Sequence, residues 1–235
     1  MPIRLVTLDC ANTLLRGSWD PVGFALWAAQ EAGLCLPKRA GTTYGELLKR
    51  HYPTILEANK TADYKLVQRE YVKIGRLWLA ELDVNPDIAE DVVVASERLL
   101  LGPLFEPFED TVTTLQALRE RGIRLAVVSN WDASLPLVLA AHGLNEYFQD
   151  VFASLVVDAE KPDPKMIHLA MASAGAIPEE TIHIGDDPVD DLGAARNAGV
   201  TGILLNRLGP RASAREADDS PLTITNLAEF LSRIP

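Results

Sequence analysis

Ile3-Arg4-Leu5-Val6-Thr7-Leu8-Asp9-Cys10-Ala11-Asn12-Thr13 is the stretch on which the fold turns. Its first six residues are short, mostly apolar and rich in strand formers, and the polar turn after Asp9 ends the run. A carboxylate that leaves a buried strand at its carboxyl end is a nucleophile candidate. Two residues on, Ala11 stands where a second carboxylate could protonate a leaving group, and alanine cannot do that.

Working outward, the pattern changes after this strand and then changes back. From about Asp20 to Leu101 the periodicity is helical. Pro21 to Ala32 suits a helix with Asp20 as N-cap and Gly33 as stop. Further helices are expected over Tyr44 to Lys60, which Pro53 should interrupt or bend, Ala62 to Leu82, and Pro86 to Leu101. Leu66, Tyr71, Ile74, Leu77, Trp78 and Leu82 form one apolar stripe, the mark of packing within a bundle. After Gly102-Pro103, strands and helices alternate: helix Asp110 to Arg121, strand Arg124 to Val128, helices Ala133 to His142 and Pro164 to Ala174, strand Thr181 to Ile184, helix Asp191 to Ala198, strand Thr201 to Leu205. Leu208 to Pro221 is polar and rich in turn formers and reads as a mobile loop. Leu222 to Ile234 closes the fold.

This order predicts an α/β fold, a three-layer Rossmann-like parallel sheet covered on both faces, carrying an inserted α-helical domain. The expected division is a core of residues 1–15 and 103–235 and a helical insertion of residues 16–102.

Composition narrows the function. With 235 residues, 48% hydrophobic and 23% charged, the chain can bury a sizeable core. A net charge of −11 argues against nucleic-acid or anionic-membrane partners. Cys10 and Cys35 make no disulfide framework, which fits a reducing, cytoplasmic setting. Neither a signal peptide nor the roughly 20 apolar residues of a membrane span is visible.

Ligands of open parallel sheets bind at the carboxyl ends of the strands. There the chain delivers Asp9, then Ser129 and Asn130, then Lys161-Pro162-Asp163-Pro164, then Gly185-Asp186-Asp187 with Asp190 and Asp191. A carboxylate nucleophile, a hydroxyl donor, a fixed cation and clustered acids suit metal-assisted phosphoryl transfer, in which phosphoryl charge must be neutralised. Mg2+ prefers the oxygen ligands that Asp9 and the Asp186 cluster supply. Taken singly, Asp9 or Ser129 would be a helix cap, and Asp187 and Asp190 read better as capping or solvated acids. Cys10 has no histidine partner nearby in sequence and reads as packing. His183, inside a strand, reads as a buried structural histidine.

The segments Asp9-x-x-Asn12-Thr13, Ser129-Asn130, Lys161-Pro162 and Gly185-Asp186-x-x-x-x-Asp191 resemble motifs one to four of the haloacid dehalogenase (HAD) superfamily, in order and spanning the core. The helical insertion resembles a C1-type cap. The resemblance implies an aspartyl-phosphate or aspartyl-ester intermediate at Asp9, with Ser129, the backbone of Asn130 and Lys161 binding the phosphoryl group. It implies Mg2+ held by Asp9, the carbonyl of Ala11, Asp186 and Asp191. The expected partner is a small phosphorylated molecule, with monomer and homodimer both open.

Ala11 departs from the phosphatase pattern, where an aspartate serves as general acid and base. Good leaving groups, such as aryl or acyl phosphates, would suffer least. Phosphonoacetaldehyde hydrolases resemble this chain in having alanine there, but need a cap lysine for a Schiff base. Lys38, Lys49, Lys60, Lys65 and Lys73 are available, none in a recognisable context. Haloacid dehalogenases also lack the second aspartate, but the Asp186–Asp191 cluster counts against dehalogenation. A catalytically weakened metal- and phosphate-binding role is the remaining alternative.

Overall fold

The computed structural model describes residues 2–17, 19–207 and 222–234. Its elements begin with β1 (Leu5–Leu8), β2 (Leu15–Arg16), α1 (Pro21–Glu31), α2 (Lys38–Asn59), α3 (Tyr64–Glu81) and α4 (Ala89–Leu100). Next come β3 (Glu106–Pro107), α5 (Thr111–Glu120), β4 (Arg124–Ser129), α6 (Leu135–Ala141), β5 (Asp150–Ala153), α7 (Ser154–Val157) and α8 (Lys165–Ala174). The last are β6 (Thr181–Gly185), α9 (Asp190–Ala198), β7 (Thr201–Leu205), β8 (Leu222–Ile224) and α10 (Leu227–Leu231). The stretch Leu208 to Pro221, read above as a mobile loop, lies outside the described residues.

The chain divides into two compact units, Met1–Gly17 with Glu106–Pro235, and Ser18–Phe105. The first is an α/β unit around a six-stranded sheet of order β5-β4-β1-β6-β7-β8, all parallel. Every residue of β1 and β6 is buried, the pattern of central strands covered on both faces. Leu5, Ala126 and Val128 meet Met166, Ile167 and Ala170 of α8 and Ala194 and Ala195 of α9. The larger of these side chains, Leu5, Val128, Met166 and Ile167, contribute about 1.5–3 kcal/mol each. Because β1 lies between β4 and β6, the carboxyl ends of those three strands converge. That places Asp9, Ser129 and Gly185-Asp186 side by side. β2 and β3 form a separate antiparallel pair, with Leu15 opposite Pro107 and Arg16 opposite Glu106.

The second unit contains α1–α4 around Trp78, which is fully buried, donates its indole N–H to the Ala40 carbonyl at 2.7 Å and meets Tyr44 edge-on. Asp20 caps α1 as expected, accepting from the amides of Val22 and Gly23. Three expectations need correction here. Pro53 does not interrupt its helix: α2 runs through it, with Pro53 exposed so that solvent can replace the missing donor. The same helix starts at Lys38, not Tyr44. A Cβ on Gly41 would lie 2.6 Å from the Val22 carbonyl, so a close approach of α1 overrides the poor helix propensity there. Leu77 leaves the proposed stripe: it is 45% exposed, whereas Val67 and Leu79 are buried. No helix among the described residues is long and apolar enough to cross a membrane.

Candidate active site

The Asp9 turn is built by backbone geometry. The Asp9 amide donates to the Ile184 carbonyl at 2.9 Å, which anchors the strand end to β6. Beyond it, the Cys10 carbonyl accepts from the amides of Thr13, Leu14 and Leu15, and Asn12 adopts a left-handed φ of 57°. Asparagine tolerates that region better than most residues. Ala11, partly exposed, forms a single bridge with Leu15. Arg207 clamps the far end of the turn. Its guanidinium donates to the Thr13 carbonyl at 2.7 and 3.3 Å, pairs with Asp110 and stacks 3.8 Å over Phe108. Sequence reading did not single out Arg207, because nothing local links it to a turn 194 residues away.

Four of the expected residues come together. Asp9, 6% exposed, accepts at Oδ1 from Ser129 Oγ at 2.9 Å and from Lys161 Nζ at 2.6 Å. Both donors converge on the same oxygen, and Oδ2 takes neither. Lys161 Nζ also reaches Asp191 Oδ1 at 2.5 Å. Asn130 brackets the lysine's backbone: its Oδ1 accepts from the Lys161 amide at 2.8 Å and its Nδ2 donates to the Lys161 carbonyl at 3.2 Å. Its side chain thus serves Lys161 directly. Asp187 accepts the amides of Val189 and Asp190, the capping role expected of it.

Electrostatics define what the cluster needs. Burial alone would lower Lys161, but Asp9 and Asp191 outweigh it and hold the ammonium above its ordinary range, hence cationic. Asp191 is likewise pushed up by burial, but Lys161 and His183 pull it well below the usual carboxylate range. Asp9 is raised: burial and the Asp191 charge outweigh Lys161 and Ser129. One ammonium is therefore shared between two acids and satisfies the second more fully. Oxygen atoms of Asp9, Asp186 and Asp191 lie within 4.8 Å of one another. The three carboxylates gather where one ammonium pairs with two of them, an all-oxygen, electron-rich set that fits a hard divalent cation.

Two expected outcomes follow from this geometry. A Cβ on Gly185 would lie 2.0 Å from Asp191 Cγ, so only glycine leaves room for that carboxylate. Gly185→Ala should cost about 1–3 kcal/mol, read as a lowered midpoint in urea. Asp191 supplies a pH dependence. Its folded pKa is depressed, so its stabilisation is present above the unfolded value of about 3.9 and is lost as pH falls through the folded value. The stability gap between wild type and Asp191→Asn should therefore shrink steadily below about pH 4 in chemical denaturation. A constant gap would show that Asp191 contributes by packing alone.

Comparison with known proteins agrees with the geometry. Residues 3–199 match the model of the haloacid dehalogenase-like hydrolase family. The chain is 38% identical over 212 residues to bovine (Bos taurus) haloacid dehalogenase-like hydrolase domain-containing protein 3, covering 87% of this chain and 82% of that one. It is 30% identical over 186 residues to a glyceraldehyde 3-phosphate phosphatase of Methanothermobacter thermautotrophicus, covering 70% and 80%. In structure it resembles a 2-haloacid dehalogenase of Pseudomonas syringae pv. Tomato at a TM-score of 0.68 and 24% identity, covering 98% and 99%. With its parallel α/β core and its four segments gathered at one sheet edge, this chain belongs to the haloacid dehalogenase-like hydrolases.

Proposed function

We propose that the chain is a Mg2+-dependent phosphatase for a small phosphorylated molecule, working through an aspartyl-phosphate at Asp9. The observation that supports this most directly is the state of the Asp9 carboxylate. It is buried, with Oδ1 fixed by Ser129 and Lys161 and Oδ2 engaged by neither. Oδ2 would attack phosphorus, the bond to the leaving oxygen would break, and the phosphoryl group would be left on Asp9. Lys161 is positioned to balance charge on the phosphoryl oxygens, and Ser129 can turn its hydroxyl from Asp9 to one of them.

Asp9, the Ala11 carbonyl, Asp186 and Asp191 would hold the cation. Bound there, Mg2+ would neutralise phosphoryl charge and orient the group for in-line attack. Similarity to a named glyceraldehyde 3-phosphate phosphatase supports phosphate ester chemistry. The acid cluster favours it over dehalogenation. The free thiols of Cys10 and Cys35 are compatible with a cytoplasmic setting.

Ala11 shapes the expected substrate. General acid–base help contributes about 10²–10⁴ in rate. Without it, leaving groups that depart as stable anions are favoured. The test is a screen of 4-nitrophenyl phosphate, acetyl phosphate and alkyl phosphates with and without Mg2+. Phosphate release from the first two, dependent on Mg2+ and faster than from alkyl esters, is the expected result. No turnover at high enzyme concentration would sink the hydrolase reading and favour the binding role that Ala11 alone supports.

A further inference from the structure

His183 is a fully buried titratable side chain that no step above uses. It sits on β6 directly opposite Thr7 of β1, itself fully buried. The ring's Nδ1 lies 2.9 Å from Thr7 Oγ1. On the other side, Nε2 lies 3.2 Å from Asp191 Oδ1, the oxygen that also receives the Lys161 ammonium. Asp191 Oδ2 is held by the Asp187 amide at 2.9 Å. A continuous buried line thus runs from Thr7 through His183, Asp191 and Lys161 to Asp9.

Proton placement along this line is constrained. An ionised carboxylate only accepts, so Nε2 must carry the hydrogen it shares with Asp191. A neutral ring then offers Nδ1 as acceptor, and the Thr7 hydroxyl is its donor. That hydroxyl's other acceptor, the Ile182 carbonyl, is farther away at 3.4 Å. Hydrogen bonding by one ring nitrogen sets the tautomer at the other.

We infer that His183, locked by Thr7 as its Nε2–H tautomer, is a positioning residue that orients Asp191 and through it Lys161. The inference rests on the reading of Asp9 as nucleophile. His183 touches neither substrate nor reacting atoms. Without its N–H, Asp191 loses a donor on the oxygen that steers the ammonium, and Lys161 loses its fixed aim at Asp9. Partners of this kind alter activity by about 10–100-fold when removed.

The tautomer is read first, from long-range proton–nitrogen NMR spectra of the labelled full-length protein at pH 7. The His183 signals are assigned by their absence in His183→Gln. A ring that carries a proton at Nε2 is expected; a ring protonated at Nδ1 with Nε2 bare overturns the inference. Kinetics follow, with 4-nitrophenyl phosphate and Mg2+. His183→Leu should lower kcat about 10–100-fold with KM little changed. His183→Gln, which keeps an N–H near the Nε2 position, should recover most of that loss. Equal losses in the two variants, or none in His183→Leu, overturn it. Should His183→Leu fail to fold, Thr7→Val carries the kinetic arm, and an unchanged tautomer and kcat there refute the lock. If the wild type turns over no phosphate ester, the phosphatase reading fails by itself, while the spectra of wild type and Thr7→Val still decide the tautomer.

Discussion

Asp9→Asn is expected to lower turnover of 4-nitrophenyl phosphate by about 10⁴-fold or more, because an amide cannot form the acyl-phosphate bond. The loss should come without unfolding. Burial raises the Asp9 carboxyl, so its charge at neutral pH is a cost to the folded state. The sign runs opposite to that of Asp191. Asparagine removes that cost at pH 7, and the advantage fades as pH falls through the raised folded value and is gone below the unfolded value of about 3.9. Asp9→Asn should therefore match or exceed wild type in urea at pH 7 while showing no burst of product. A variant that retains turnover would remove Asp9 from the mechanism. One that unfolds would show that the Asp9–Lys161 pair serves stability first.

Ala11→Asp is expected to raise turnover of alkyl phosphates by about 10²-fold, at the low end for an acid placed by mutation. The Asn12 amide, bonded to the Leu15 carbonyl at 2.7 Å, and the Ala11–Leu15 bridge keep the backbone here fixed, so the new carboxyl starts from a defined position. Aryl phosphates should gain little in the first step, since their leaving groups need no proton. Hydrolysis of the phosphoenzyme should gain for both classes. Wild type should then show a burst of about one equivalent of nitrophenol per chain, which the aspartate variant abolishes. An unchanged rate with alkyl esters would show that the missing acid is not what limits this enzyme.

Much of the site could be read from the sequence because strand ends are local signals. Asp9, Ser129 and Asp186 each follow an apolar run, and a parallel sheet brings such ends to one edge. The short pairs and edges were less legible. β5 is four residues long and opens with Asp150, while β2 and β3 have two residues each, too few to show a period. The supporting contacts were not legible at all. His183 looked like packing because its two partners come from another strand and from a helix eight residues on. Gly185 enters the sequence reading only as part of a motif, yet it is the cradle for a carboxylate six residues later. Such roles depend on three-dimensional register, which periodicity does not carry.

The small β2–β3 pair has a bearing on how such a protein can be changed. Arg16 and Glu106 face each other across it, and the helical unit runs from Ser18 to Phe105. Exit and re-entry of the chain are thus neighbours, and for the sheet the whole helical unit is one long loop with closed ends. Loops whose ends already meet tolerate replacement well. The sheet and its strand ends could therefore be kept while a different insert is grafted between the same two residues, which makes this pair the natural splice point.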